Sequence, residues 1–117
     1  MSEKPFEHDL LIHITTPPTL DLEPVELGMA CAAFDQRVVF VFSGEGIDWL
    51  QAGQQAKRPQ GKSADKLIKA LAMYDCEDVY YLASGVEDVA GFVKNVRPVS
   101  SSELSKLKHS SKHQLNF

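Results

Sequence analysis

The sequence has no hydrophobic run that approaches the roughly 20 residues of a membrane-spanning helix. Its first nine residues, MSEKPFEHD, are polar and mainly acidic, and they have neither the basic nor the apolar segment of a signal peptide. The two cysteines, Cys31 and Cys76, are too few for a disulfide framework and have no zinc-site spacing. We therefore expect a cytoplasmic protein with reduced thiols and no membrane contact.

Motifs for cofactors and for common catalytic machinery are also missing. There is no GxGxxG segment and no P-loop, so nothing predicts a cradle for a pyrophosphate. No Ser–His–Asp constellation can be assigned. His109 and His113 have a spacing that suits a metal pair only if a helix continues through 110–112. We expect no cofactor and no metal, and we interpret His13 as a hydrogen-bonded core or sheet-edge histidine rather than a ligand.

Charge is unevenly distributed along the 117 residues, which we expect to form one domain. Residues 1–93 hold 7 Lys and Arg against 15 Asp and Glu, whereas residues 94–117 hold 5 against 1. A basic end of this kind can face RNA, or it can be the solvated surface of a helix. No aromatic residue lies among these lysines before Phe117, so the stacking platform of a nucleic-acid site is missing. We expect no direct contact with nucleic acid.

The segment Arg37–Leu50, RVVFVFSGEGIDWL, is the most informative stretch of the chain. Its apolar run Arg37–Phe42 does not alternate, which is typical of a strand that is covered on both faces of a parallel sheet. The small residues Ser43–Gly46 follow at once. In open α/β sheets, ligands bind outside the carboxyl ends of the strands, so this turn is a candidate site by position.

The remaining patterns alternate between strands and helices. The pattern predicts further strands at Leu10–Thr15, Val79–Ala83, Val96–Val99 and Gln114–Phe117, after a flexible lead-in over residues 1–9. It predicts helices at Glu23–Phe34, Ser63–Tyr74, Val86–Val93 and from Ser101 to about His109. Alternation of this kind indicates an α/β, flavodoxin-like, three-layer fold with a mostly parallel five-stranded sheet. On the first helix we expect Leu27, Cys31 and Phe34 to form the buried stripe.

Three loops at the carboxyl ends of the strands are predicted to face a ligand or a partner: Thr16, Ser43-Gly44-Glu45-Gly46 and Ser84-Gly85. The cysteines are weak catalytic candidates. Cys31 falls on an apolar helix stripe as a small core residue. Cys76 lies among Asp75, Glu77 and Asp78, whose charge opposes thiolate formation.

The order of these landmarks resembles the DsrE/DsrF/DsrH-like superfamily, and within it the TusC (DsrF-like) branch. The resemblance rests on MACAAFDQRVVFVFSGEGIDWLQAGQQA, on SADKLIKALAMYDCEDVYYLASGVEDVAGF, and on a final helix and strand that end in Phe. It covers about Leu10 to Phe117. It implies a flavodoxin-like cytoplasmic protein and a heterohexamer with TusB-like and TusD-like subunits. Such a complex takes persulfide sulfur from a TusA-like donor and passes it to a TusE-like acceptor, towards 2-thiouridine at the tRNA wobble position.

The resemblance also implies which residue is missing. In TusD-like members the sulfur-carrying cysteine lies at the end of the third strand, and the matching stretch here is Tyr81–Gly85, YLASG. Because this stretch contains no cysteine, we expect a supporting subunit that carries no sulfur. Its partners would bury apolar anchors, for which Trp49, Tyr80 and Phe117 are the candidates. Two other hypotheses stay open: a stand-alone sulfurtransferase using Cys31 or Cys76, and a protein that binds a small ligand at the three loops.

Overall fold

A computed structural model describes residues 6–57 and 61–117. Its five strands are β1 (His8–Ile14), β2 (Val38–Phe42), β3 (Asp78–Leu82), β4 (Arg97–Val99) and β5 (Ser111–Asn116). Its three α-helices are α1 (Glu23–Ala33), α2 (Ala64–Ala70) and α3 (Ser101–His109), and 3-10 helices span Gly44–Leu50 and Leu71–Tyr74. None of the helices in the described ranges is both long and apolar enough to cross a membrane.

The strands form one sheet in the order β4-β3-β2-β1-β5, and each neighbouring pair is parallel. The predicted three-layer α/β fold with a five-stranded sheet is confirmed, and the sheet is wholly rather than mostly parallel. Its strand order differs from the 2-1-3-4-5 order of flavodoxin, because β5 pairs with β1 at the other edge. The central strand β2 is buried at all five positions, as its unbroken apolar sequence predicts. Three-residue β4 contains Pro98 and lies at one edge, where a missing backbone N–H costs no ladder hydrogen bond.

Alternate residues along the strands belong to two apolar clusters, one on each face of the sheet. The larger cluster joins Ile12, Phe40 and Val79 to Met29 of α1 and Leu67 of α2. Helix α1 comes close to the sheet through Gly28, because any side chain there would collide with the ring of Phe40.

The smaller cluster lies on the other face of the sheet. Leu11, Val39 and Val41 meet Val99 and Leu104 there, under α3. The side chain of Ser100 accepts a hydrogen bond from the Glu103 N–H and the carboxylate of Glu103 accepts one from the Ser100 N–H, which starts α3 with a capping box.

Several predicted element boundaries were wrong. Residues 83–96 form turns instead of the expected helix Val86–Val93, and this segment is held by its backbone: Ala52 N–H donates to Gly91 O, and Val93 N–H donates to Leu50 O. His8 and Asp9 lie in β1, so the predicted lead-in is too long, and residues 1–5 lie outside the described ranges. Strand β5 begins three residues before the predicted Gln114.

The apolar stripe predicted for α1 was also wrong. The residues that α1 buries are Val25, Gly28 and Met29. Leu27 and Cys31 are half-buried, and the Phe34 side chain is 81% exposed. Residues 27–34, LGMACAAF, contain no charged side chain, so the sequence cannot show which side of this helix faces the sheet.

Candidate functional site

The turn after β2 is joined tightly to the end of β1. The Ser43 N–H donates to the Ile14 carbonyl at 3.0 Å, and the Gly46 N–H donates to the Ser43 carbonyl at 2.9 Å. Gly46 is buried, and a Cβ there would collide with the Ile14 carbonyl oxygen and carbon. Gly44 has a φ of +56°, which favours glycine. The small residues Gly44 and Gly46 thus bring the ends of β1 and β2 together.

Trp49, in the 3-10 helix Gly44–Leu50, packs at the same carboxyl edge of the sheet. Its side chain is 1% exposed, and its Nε1–H donates to the Thr16 carbonyl at 3.0 Å. Because a buried side chain offers no surface to a partner, the proposal of Trp49 as an exposed interface anchor was wrong. Thr16, Trp49 and Phe117 do converge, since they line one cavity of about 230 Å³ with Asp21 and Glu23.

Phe117 and Tyr80 lie at different places on the sheet. The Phe117 carbonyl accepts hydrogen bonds from the backbone N–H and the hydroxyl of Thr15, at 2.8 and 2.9 Å. Tyr80 is half-buried under Arg97, whose guanidinium carbon lies 4.7 Å from the ring centroid. The Arg97 guanidinium also donates to Asp78, which binds His8 Nε2 at 2.8 Å. The two aromatic residues therefore do not form one surface.

The remaining predicted loop residues, Ser84 and Gly85, are exposed after β3, and Gly85 has a φ of +81°. Within the described ranges, no hydrogen bond joins them to Ser43–Gly46. Glu45 is exposed on the 3-10 helix. The carboxyl edge of the sheet thus has a closed turn after β2 and an exposed one after β3.

Sequence reasoning did not foresee the contact between His13 and Ser43. His13 Nε2 lies 2.7 Å from Ser43 Oγ, and the serine is buried. The expectation of a hydrogen-bonded histidine is confirmed. Among the described residues, no carboxylate binds the other ring nitrogen of His13, so the third group that orients a catalytic dyad is missing. The alternation of β1 places His13 on the α3 face, but only the structure shows that Ser43 reaches it.

The pKa of His13 is lowered from its ordinary value. The main cause is partial burial, which disfavours the charged imidazolium, and the ammonium group of Lys108 adds repulsion. The neutral imidazole is consequently the form that the folded protein holds beside Ser43.

Cys76 and Cys31 both lie on the side of the sheet covered by α1 and α2. Cys76 is 2% exposed, and burial, with the negative charges of Asp75 and Asp78, raises the pKa of its thiol to about 11. Cys31 is half-buried and packs against the larger apolar cluster. Neither sulfur lies at the carboxyl ends of the strands, and the thiol of Cys76 resists ionisation.

The histidine pair considered for a metal does not share a helix. Helix α3 ends at His109, and His113 lies in β5. His109 Nδ1 lies 2.8 Å from the Ser105 carbonyl. Within residues 6–57 and 61–117, no group of three or more metal-ligating side chains comes together.

The polar loop after the 3-10 helix is held by two side chains. Gln54 Nε2 donates to the carbonyls of Asp48, Trp49 and Gln51, at 2.7 to 3.2 Å. The buried Asp65 accepts a hydrogen bond from the Gly53 N–H at 2.9 Å. The segment AGQQ therefore has a structural role, which is to close the end of the 3-10 helix.

The comparisons with known proteins agree with this architecture. Residues 9–117 match the model of the DsrE/DsrF-like family, and the chain belongs to that family. It is 27% identical over 99 residues to a protein of Vibrio vulnificus (strain CMCP6) named "Protein TusC homolog", covering 81% of this chain and 84% of that protein. The crystal structure of the ychN protein from E. coli is similar in fold, with a TM-score of 0.73 and 12% identity. That match covers 94% of this chain and 99% of that one.

We predict that Gly46→Ala lowers the free energy of unfolding by about 1–3 kcal/mol, because the added methyl group meets the backbone of β1, which cannot move aside. Gly91→Ala is the matched control. Its Cβ would meet only the end of the Gln51 side chain, and we expect a change within about 0.5 kcal/mol. Urea unfolding measures both, and equal losses would contradict the close contact at Gly46.

We also predict that acid weakens the fold through His13. The unfolded chain protonates this residue near its ordinary pKa of about 6.5, whereas the folded protein holds it neutral to a lower pH. The unfolded state therefore binds more protons below about pH 6.5, and the free energy of unfolding falls as the pH drops. In His13→Gln this fall should be shallower. His113→Gln, which changes an exposed histidine, is the control, and identical slopes for wild type and His13→Gln would refute the prediction.

Proposed function

We propose that this chain is a TusC-like supporting subunit of a cytoplasmic sulfur-relay complex and carries no sulfur itself. The complex would pass persulfide sulfur towards 2-thiouridine at the tRNA wobble position. Membership of the DsrE/DsrF-like family and the similarity to a TusC homolog support the sulfur-relay assignment. The observation that carries the supporting role is the absence of a thiol in the exposed turn Ala83-Ser84-Gly85, which follows β3.

The chemistry of sulfur transfer explains why that absence matters. A persulfide forms when a thiolate attacks a sulfur donor, so the carrier needs an accessible thiol that ionises near neutral pH. The turn after β3 is exposed and could be reached by a donor, but a serine hydroxyl cannot take up sulfane sulfur. Cys76 is buried, and its raised pKa leaves almost no thiolate at pH 7.

Cys31 is the less unfavourable of the two thiols, because it is only half-buried. It lies in the last turn of α1 and packs against the larger apolar cluster. That position is on the side of the sheet covered by α1 and α2, away from the exposed turn after β3 that a donor could reach. The placement of Cys31 therefore argues against it as the sulfur carrier.

A supporting subunit must contribute through contacts with its partners. We propose TusB-like and TusD-like subunits as direct partners in a heterohexamer, with a TusA-like donor and a TusE-like acceptor acting on the assembled complex. In this proposal, the sulfur-carrying cysteine belongs to the TusD-like partner. The chain itself makes no direct contact with tRNA.

Purification of the tagged chain from its own host tests this proposal. We expect two small α/β proteins of the same family to co-elute at fixed stoichiometry, with extra sulfur on a cysteine of the TusD-like one and none on Cys31 or Cys76. Mass spectrometry of the intact proteins and of their peptides measures both points. If the chain elutes alone and one of its own cysteines carries sulfur, it is a sulfurtransferase in its own right.

A further inference from the structure

The outer side of α1 and α2 carries apolar side chains that the described part of the chain leaves uncovered. Phe34 is 81% exposed at the end of α1, and Met73 is 85% exposed in the 3-10 helix that continues α2. Ala30 and Tyr74 are also exposed, and with polar side chains such as Glu26 and Lys62 they line a groove of about 510 Å³ between the two helices. We refer to Ala30, Phe34, Met73 and Tyr74 as the apolar patch. Monomeric proteins seldom expose several large apolar side chains on one side without a binding role.

The sequence of α1 points to the same conclusion. After Glu26 the helix has no charged residue as far as Phe34, and its inner side is already used by Gly28 and Met29 against the sheet. A helix that is apolar on all sides is normally buried on all sides. Ala30 and Phe34 are four residues apart and lie on one side of α1, where a second layer would cover them.

The charges around this patch are complementary between the two helices. The exposed charges of α1 are acidic, Glu23 and Glu26, and its last turn has no basic residue. The exposed charges of the segment that leads into α2 and of α2 itself are basic, Lys62, Lys66 and Lys69. A surface with one acidic half and one basic half is complementary to a second copy of itself when the acidic half of each copy contacts the basic half of the other.

We propose that a second copy of this chain covers the patch, with α1 of each copy packed on α2 of the other about a two-fold axis parallel to these helices. A rotation about this axis does not change the position of a residue along the helix direction, so residues at the same height in the two copies face each other. Phe34 and Met73 each lie five residues before a strand residue, Val39 and Asp78, and these two residues are paired in the sheet. Phe34 of one copy therefore meets Met73 of the other.

The same axis also matches the charged ends of the two helices. Glu26 lies 13 residues before Val39, and Lys66 lies 12 residues before Asp78, so Glu26 of one copy comes opposite Lys66 of the other. An axis perpendicular to the helices would instead set α1 on α1, with the carboxylate of Glu26 against the apolar Phe34. Such a contact desolvates a charge without pairing it.

The surface is small, since α1 with 11 residues is about 16 Å long, α2 with 7 residues is about 10 Å long, and neighbouring helix axes lie about 8–10 Å apart. Interfaces of this size are weak, so the dimer should form in a concentration-dependent manner. The contact does not depend on the sulfur-relay proposal.

Analytical ultracentrifugation of the purified chain across a concentration series tests the proposal. We expect a reversible monomer–dimer equilibrium, and we expect Phe34→Glu to raise the dissociation constant at least tenfold. Val89→Glu, which changes another exposed apolar residue outside α1 and α2, is the control and should leave the equilibrium unchanged. Circular dichroism of each variant verifies that it is folded.

A charge exchange tests the arrangement of the two copies. Glu26→Lys alone and Lys66→Glu alone should each weaken the dimer several-fold, because like charges then face each other. An equimolar mixture of the two variants should dimerise as well as the wild type, because both contacts become opposite in charge again. A chain that stays monomeric throughout, or a mixture no better than either variant alone, would overturn the proposal, even if co-purification supports the sulfur-relay assignment.

Discussion

The burial of β2 on both faces is the constraint on which the rest of this structure depends. A five-residue strand of valine and phenylalanine needs cover above and below, so helices must lie on both sides of the sheet. Gly28 lets α1 approach the ring of Phe40, and Gly46 lets the turn after β2 lie against β1. The same two glycines therefore fix the position of the first helix and the shape of the carboxyl edge.

That closed edge bears directly on function. In α/β proteins the carboxyl ends of the strands are the usual place for a ligand, and here the buried Trp49 and the hydrogen-bonded pair of His13 and Ser43 lie at that edge. The two thiols lie elsewhere, on the side covered by α1 and α2, and burial raises the pKa of the Cys76 thiol. The proposed supporting role rests on these placements together with the lack of a thiol in the turn Ala83-Ser84-Gly85.

The sequence predicted the fold well because the spacing of apolar residues and the positions of proline depend on local backbone structure and burial. An unbroken apolar run predicted β2, and Pro98 predicted that β4 lies at an edge of the sheet. The helix expected after β3 was wrong because Gly91 and Val93 make backbone hydrogen bonds to Ala52 and Leu50, which no local pattern encodes. The burial of Trp49 and the exposure of Phe34 were not predicted, since both depend on which side of an apolar segment meets the sheet.

The most direct test of the central claim removes both thiols from the chain in its own host. The account predicts that Cys31→Ala combined with Cys76→Ala leaves the 2-thiouridine content of tRNA at the wild-type level, whereas deletion of the chain abolishes it. The amount of the variant recovered with its partners shows that it still folds and assembles. Loss of thiolation by a variant that is present in the complex at wild-type levels would contradict the account, because sulfur would then have to pass through this chain.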